Sequence, residues 1–162
     1  MKSQKVNIGI IGLGFGKEFI PIYQSHPYGG EIAICTRRRE QLSQIGDQFG
    51  IDPSLRYTDY RDMIANKGLD AIHVVTPVLE HYPMVMASLN AGKHTACTIP
   101  MATTVQQCMD IVEATRSSGK VYMMMETALY TREYLYAKQL VEQGELGEIQ
   151  FVRSDHMQNM AL

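Results

Sequence analysis

The sequence predicts an α/β fold: a doubly wound parallel sheet followed by the start of a second, α+β domain. Two observations carry this prediction. Apolar runs of strand length alternate with stretches of helical periodicity, and the first run opens directly onto a glycine-rich turn, Gly12-Leu13-Gly14-Phe15-Gly16. Where a helix follows each strand the connections are crossovers, so the strands run parallel and both faces of the sheet are covered.

The elements follow in order. Strands are expected at Val6–Ile11, 31–36, 71–76, 93–97 and 121–126, each an apolar run bounded by polar or turn residues. The clearest helix is Val105–Ser118, where Val105, Cys108, Met109, Ile111, Val112 and Thr115 recur at helical spacing and Gly119 supplies the stop. A second helix is expected over 80–90, ending at Ala91-Gly92, and a third over 134–143. The doubly wound domain is expected to span residues 1–126, and residues 127–162 to form the connecting helix and first strand of a second domain. That strand, placed at 147–157, has no partner left in the chain, and an unpaired strand exposes N–H and C=O groups along both edges. The sequence therefore reads as cut short.

Composition narrows the classes of function. With 162 residues, 45% hydrophobic and 20% charged, the chain has the make-up of a globular protein with one full core. A formal net charge of -2 gives no reason to expect nucleic acid or an acidic membrane surface as partner. The three cysteines, Cys35, Cys97 and Cys108, form no C-x-x-C pair and leave an odd thiol, which suits a reducing compartment. No residue set has the spacing of a metal site. The amino terminus enters its first strand without a leader, and no apolar run approaches the roughly 20 residues a membrane helix needs. The expected location is cytoplasmic.

The glycine turn carries the chemistry. A pyrophosphate must be met by backbone N–H groups, so the turn that holds it must lack Cβ atoms, and the following helix offers its positive end to the anion. Gly12 and Gly14 fit the first two glycines of the dinucleotide fingerprint, whereas the third position falls on Lys17, with Gly16 one residue early. Close packing of helix on strand must then be solved differently. Expected cofactor contacts here are Gly12, Gly14, Phe15 and Gly16. After the second strand, Thr36-Arg37-Arg38 stands where NAD-preferring folds place an acid for the ribose 2′-OH. A hydroxyl with guanidinium groups suits a 2′-phosphate. The same residues also read as a solvated basic helix start ahead of Glu40, so NADP and NAD both stay open.

Further along, the segment Asp70-Ala71-Ile72-His73-Val74-Val75-Thr76-Pro77-Val78-Leu79-Glu80-His81, then Ala91-Gly92-Lys93-His94 and Pro100-Met101-Ala102-Thr103, resembles the Gfo/Idh/MocA oxidoreductases. These are nicotinamide-dependent enzymes acting mostly on sugars and polyols. The resemblance runs from the glycine turn to Gly144-Glu145-Leu146-Gly147-Glu148-Ile149, where the family's helix leads into its substrate domain. It implies a Rossmann domain binding NADP or NAD, a sugar or polyol as substrate, and a homo-oligomer in the full-length enzyme. It also extends the cofactor contacts to Thr76, Pro77, His81, Ile99 and Pro100. Family members are substantially longer, and their downstream catalytic aspartate and histidine have no counterpart here. The chain alone is expected to bind cofactor without turnover.

One departure matters. At Thr98-Ile99-Pro100 the family commonly has Glu-Lys-Pro, whose lysine assists proton transfer at the substrate hydroxyl. Ile99 can donate no proton. Lys93 precedes its strand and cannot replace that lysine, because ligands lie beyond the strands' carboxyl ends. A subgroup of the family also lacks the lysine. The segment Tyr122-Met123-Met124-Met125-Glu126-Thr127-Ala128-Leu129-Tyr130-Thr131-Arg132-Glu133, with Thr103-Thr104 and Cys108, is similar to NAD-dependent glycosidases typified by bacterial α-N-acetylgalactosaminidases. In that group a ring hydroxyl is transiently oxidised, the neighbouring C–H becomes acidic, and the glycosidic oxygen leaves by elimination before water adds and hydride returns. The group's later tyrosine and histidine positions align with His156 and Gln158.

Glu126 and Tyr130 follow the last strand of the domain and are candidates to orient a sugar or exchange a proton, and His156 is a candidate general base. His81 also reads as a capping or packing histidine, His73 as a satisfied core histidine, and Met123 to Met125 as strand packing. Three functions stay in view: a sugar-active oxidoreductase, a redox-assisted glycosidase, and a non-catalytic nucleotide sensor.

Overall fold

The computed structural model describes residues 5–155, in two compact units that divide after Met125. In the first unit a six-stranded sheet has the order β3-β2-β1-β4-β5-β6 and every neighbouring pair is parallel. Its strands are β1 Val6–Ile11, β2 Gly29–Cys35, β3 Arg56–Tyr57, β4 Ala71–Val74, β5 His94–Thr98 and β6 Tyr122–Met125. The helices of this unit are α1 Ile20–Ser25, α2 Arg39–Gln48, α3 Tyr60–Ala65, α4 His81–Asn90 and α5 Val105–Ser118. The doubly wound parallel sheet expected from the alternation is therefore present.

Side-chain alternation along the inner strands divides the core into two. Ile10, Ile32 and Ile34 face Leu13, Ile20, Leu42 and Ile45 in one cluster, while Ile11, Ala33, Cys35, Ile72 and Val74 face Met63, Val85, Leu89 and Ile111 in the other. A strand buried on both faces is predominantly apolar, which is why β1, β2 and β4 read as nearly continuous apolar runs, His73 being the buried polar exception. α1 and α2 cover one face, and α3, α4 and α5 the other. The face changes where the chain leaves β3 and crosses to β4 on the far side of β1.

Several elements differ from expectation. β3 has two residues, too few to show a period, and α1 and α3 have six each. α2 has only Leu42, Ile45 and Gly46 buried in ten residues, so its sequence is largely polar. Met123 and Met124 are each 43% exposed on the edge strand β6 rather than packed in the core. α5 begins and ends as read: the Thr104 hydroxyl accepts from Gln107 N–H at 3.2 Å, and Gly119 terminates the helix in the left-handed region.

The second unit contains a 3-10 turn, Thr127–Tyr130, and α6, Arg132–Glu142. The strand expected at 147–157 is not there among the described residues: positions 147–155 form no ladder. Among the described residues of this unit there is no strand to pair with it, and an isolated strand has no partner to hold it extended. Among the described residues no helix is long and apolar enough to cross a membrane.

Candidate functional site

β1 runs its apolar residues to Ile11 and then must turn sharply. Gly12 has φ +93°, and a Cβ built on it would overlap the Val75 carbonyl oxygen at the end of β4. Only glycine fits both demands. The Gly12 N–H donates to the Cys35 carbonyl at 3.0 Å, which ties the turn to the end of β2. At Gly14 a Cβ would meet nothing within 4 Å, so the chain is bare where it faces open space. Among the described residues the N–H groups of Leu13 and Gly14 find no acceptor.

Gly16 corrects the sequence reading of this turn. A Cβ there would stand 3.0 Å from Ile10 Cγ2 and 3.4 Å from Val75 Cβ, so Gly16 itself provides the close packing assigned to the third glycine. It can do so one residue early because the chain enters a tighter 3-10 turn, Gly16–Phe19, before α1 begins at Ile20. Phe15 points outward, 62% exposed, with its ring edge-on to Phe19.

The carboxyl ends of β1 to β4 surround a cavity of about 520 Å³. Gly12 and Gly14 line it from the turn, Thr36, Arg37 and Arg38 from the end of β2, and Thr76 and Pro77 from the end of β4. Seven of the residues expected to touch a cofactor thus meet at one hollow. Phe15, Gly16, His81, Ile99 and Pro100 are not among its lining residues.

His81 is buried at 1% exposure. Its Nδ1 lies 2.8 Å from the Pro100 carbonyl oxygen and its Nε2 2.8 Å from that of Thr76. The ring joins the segments that leave β4 and β5 rather than facing the cavity. Ile99, next to Pro100, is 48% exposed at the end of β5.

Residues not anticipated complete the wall: Thr58, Asp59, Tyr60 and Arg61 from the β3 to α3 junction, with Gln41, Glu80 and Met84. Asp59 caps α3 by accepting from Arg61 N–H at 2.8 Å, and its Oδ2 lies 3.3 Å from the Arg61 guanidinium. That guanidinium also sits 4.8 Å over the Tyr60 ring. An aspartate just before a short apolar helix was the signal available in sequence. Cys35 at the cavity floor is no nucleophile, because burial, with Asp59 and Asp62 adding to it, pushes its thiol up to about 12.

Lys93 lies at the opposite edge of the sheet, as its place before β5 requires. Its Nζ donates to the Asn66 and Leu69 carbonyls at 2.7 and 2.6 Å. His73 is only half satisfied, contrary to the expectation: Nδ1 meets Tyr23 Oη at 3.0 Å while Nε2 has no partner. In the second unit, Glu126 accepts from Ala128 N–H at 2.8 Å and Tyr130 is 69% exposed. His156 lies outside the described residues.

The bare glycine turn, the unclaimed amides and the cavity beyond the strand ends fit the diphosphate and riboses of a dinucleotide. Comparison with known proteins agrees. Residues 6–126 match the family model described as oxidoreductase family, NAD-binding Rossmann fold. A glycosyl hydrolase family 109 protein from Shewanella baltica is 34% identical over 158 residues, covering 91% of this chain and 34% of its own. Among solved structures, scyllo-inositol dehydrogenase from Lactobacillus casei with NAD(H) and scyllo-inositol is 25% identical with a TM-score of 0.82, covering 90% of this chain and 43% of that one. An NAD binding oxidoreductase from Klebsiella pneumoniae is 27% identical with a TM-score of 0.79, covering 89% and 40% respectively. The chain spans about a third of the length of the curated relatives it matches.

Proposed function

Because the chain belongs to the Gfo/Idh/MocA oxidoreductases through their NAD-binding Rossmann domain, we propose that it is the cofactor-binding portion of an NAD(P)-dependent oxidoreductase acting on a sugar or polyol. The observation that carries this is the cavity of about 520 Å³ at the strand ends, floored by a turn in which Gly12 admits no Cβ. When bound, the nicotinamide supplies a hydride acceptor and donor.

This chain's own residues bind and orient. The amides of Leu13 and Gly14 would hold the diphosphate, with Gly16 keeping α1 close enough to leave room for it. Thr36, Arg37 and Arg38 would take the adenosine ribose. Thr76, Pro77 and Glu80 bound the other side of the hollow, and His81 holds the Thr76 and Pro100 segments in register through two carbonyls. Phe15, Ile99 and Pro100 would approach the cofactor from the rims of the turn and of β5.

Residues 127–162 are read as the connecting helix into a substrate domain. Glu126, Tyr130 and His156 are assigned to substrate orientation and proton transfer, and the complete enzyme to a homo-oligomer.

Ile99 favours a second reading. An isoleucine where the family's lysine would stand cannot assist a conventional alcohol oxidation, and the glycosyl hydrolase family 109 relatives support redox-assisted glycoside cleavage. Release of nitrophenol from a nitrophenyl glycoside by the complete protein, without net consumption of cofactor, would select it. Net reduction of NAD(P) by a polyol selects the first reading.

The cofactor reading is tested on the chain itself. Calorimetric titration with NAD and NADP is expected to give saturable binding, and Gly12→Val to abolish it. No heat of binding at millimolar cofactor overturns the reading.

A further inference from the structure

We propose that the free edge of β6 is an interaction surface for a second copy of this chain, the two β6 strands pairing antiparallel about a two-fold axis at Met123. The edge strands of the sheet are β3 and β6. β3 is two residues long, and its Arg56 is tied to Asp47 at 2.7 Å and to the Ile51 carbonyl at 2.9 Å, so that edge is short and charged. β6 has no such protection. The run Val121-Tyr122-Met123-Met124-Met125 contains no charge, proline or glycine, and its register against β5 is unbroken by a bulge. Val121 is 63% exposed, and Met123 and Met124 are 43% exposed each.

The ladder on the inner side of β6 decides which backbone groups reach the outer one. Thr95 N–H donates to the Val121 carbonyl at 2.9 Å, and successive residues of a strand send their N–H and C=O groups to opposite sides. Residues 121, 123 and 125 therefore face β5. Tyr122 and Met124 direct theirs outward, where no described residue pairs with them. Outward residues of one copy must meet outward residues of the other, so the axis can stand at Tyr122, Met123 or Met124.

Charge selects among these. Lys120 and Glu126 flank the strand, and among the described residues neither is in an ion pair. Glu126 continues the extended backbone at φ −85° and ψ 102°, with one carboxylate oxygen accepting from Ala128 N–H. An axis at Met123 sets Lys120 of each copy opposite Glu126 of the other, an opposite-charge cross-strand pair at both ends. An axis at Tyr122 sets Lys120 against Met124, and one at Met124 sets Glu126 against Tyr122, leaving the charges unmatched. At Met123 the apolar side chains also match. Met123 meets its own copy, Tyr122 meets Met124 with sulfur against ring, and Val121 meets Met125.

The test is made on the whole chain without cofactor, so its outcome is separate from that of the dinucleotide reading. Light scattering behind size exclusion at about 100 μM is expected to show a dimer that dissociates on dilution, as a small interface does. Lys120→Glu would oppose two carboxylates at each end, and is expected to weaken the dimer at least about tenfold at low salt and less at high salt. The register is read by cross-linking with added diamide in a Cys108→Ser background, which leaves only the buried Cys35 and Cys97 as native thiols. Met123→Cys is expected to give a covalent dimer, because residues facing each other in a non-hydrogen-bonded pair have Cα atoms about 4.5 Å apart. Met125→Cys is expected to give none, since its copy would stand about 13 Å along the strand. A chain that stays monomeric up to about 1 mM overturns the proposal. So does a dimer that Lys120→Glu fails to weaken, or one that cross-links no better at Met123 than at Met125.

Discussion

His73 carries one partner for two ring nitrogens. Neutral, the ring can place its single proton on Nδ1 toward the Tyr23 oxygen and leave only a lone pair at Nε2, whereas the imidazolium would bury a second N–H with no acceptor. Burial accordingly depresses its pKa from 6.5 to about 4. Because the unfolded chain takes up this proton near pH 6.5, the native state is undisturbed above that value and loses stability as pH falls from 6.5 toward 4. The full loss is about 3 kcal/mol, at about 1.4 kcal/mol per pH unit. Urea unfolding at a series of pH values is expected to show this slope, and His73→Leu to flatten it over the same window. An unchanged slope in the variant assigns the acid sensitivity elsewhere. The histidine within an apolar strand was legible in sequence as a core residue, but its missing acceptor was not, because that depends on what packs over β4 from α1, fifty residues earlier in the chain.

At the scale of elements, the two edges of the sheet do different work. The carboxyl ends of the strands open into the cavity. The amino ends are closed by local networks: Asn7 N–H donates to Asp70 at 2.8 Å, Asn7 Oδ1 accepts from Glu31 N–H at 2.8 Å, and Lys93 satisfies the carbonyls of Asn66 and Leu69. Burial lowers the pKa of Lys93, opposed by the nearby Asp70 carboxylate. Lys93→Met would leave the Leu69 carbonyl without a donor and the Asn66 carbonyl with only the Leu69 N–H at 3.3 Å, and is expected to cost about 1–3 kcal/mol of stability in urea unfolding while leaving cofactor affinity unchanged. A fall in cofactor affinity without a fall in stability would place the lysine at the site instead. α5, fourteen residues with a clear helical period, and β1, a continuous apolar run that opens onto the glycine turn, could be read to the residue. β3 and α3 could not, since two and six residues carry no measurable period, and with them went Asp59, Tyr60 and Arg61 from the wall of the site.

For the molecule as a whole, every buried residue among those described lies between Gly9 and Ala114. The hydrophobic core and the cavity therefore both belong to the unit that ends at Met125. A chain stopped after Met125 is expected to unfold cooperatively, with a Tm within about 5 °C of the longer chain, the equivalent of roughly 1 kcal/mol for a domain of this size. Its NADP affinity should be unchanged. Loss of a cooperative melt, followed by circular dichroism, would show that residues after Met125 support the core. The second unit, with no buried side chain among its described residues, exposes Leu135, Val141, Leu146 and Phe151.

The sequence by itself determined the parallel α/β class, the two ends of α5, the glycine turn and the run Thr36-Arg37-Arg38. The first three follow from periodicity or from the absence of a Cβ within a few neighbouring residues, and the last from its place directly after the second strand. Only the tertiary structure decided that Gly16 packs in place of the third glycine, that His81 is buried between two carbonyls rather than open to the cavity, and that Asp59 is held by Arg61. Those outcomes depend on which atoms from distant parts of the chain arrive at the same point, and burial of that kind leaves no local pattern.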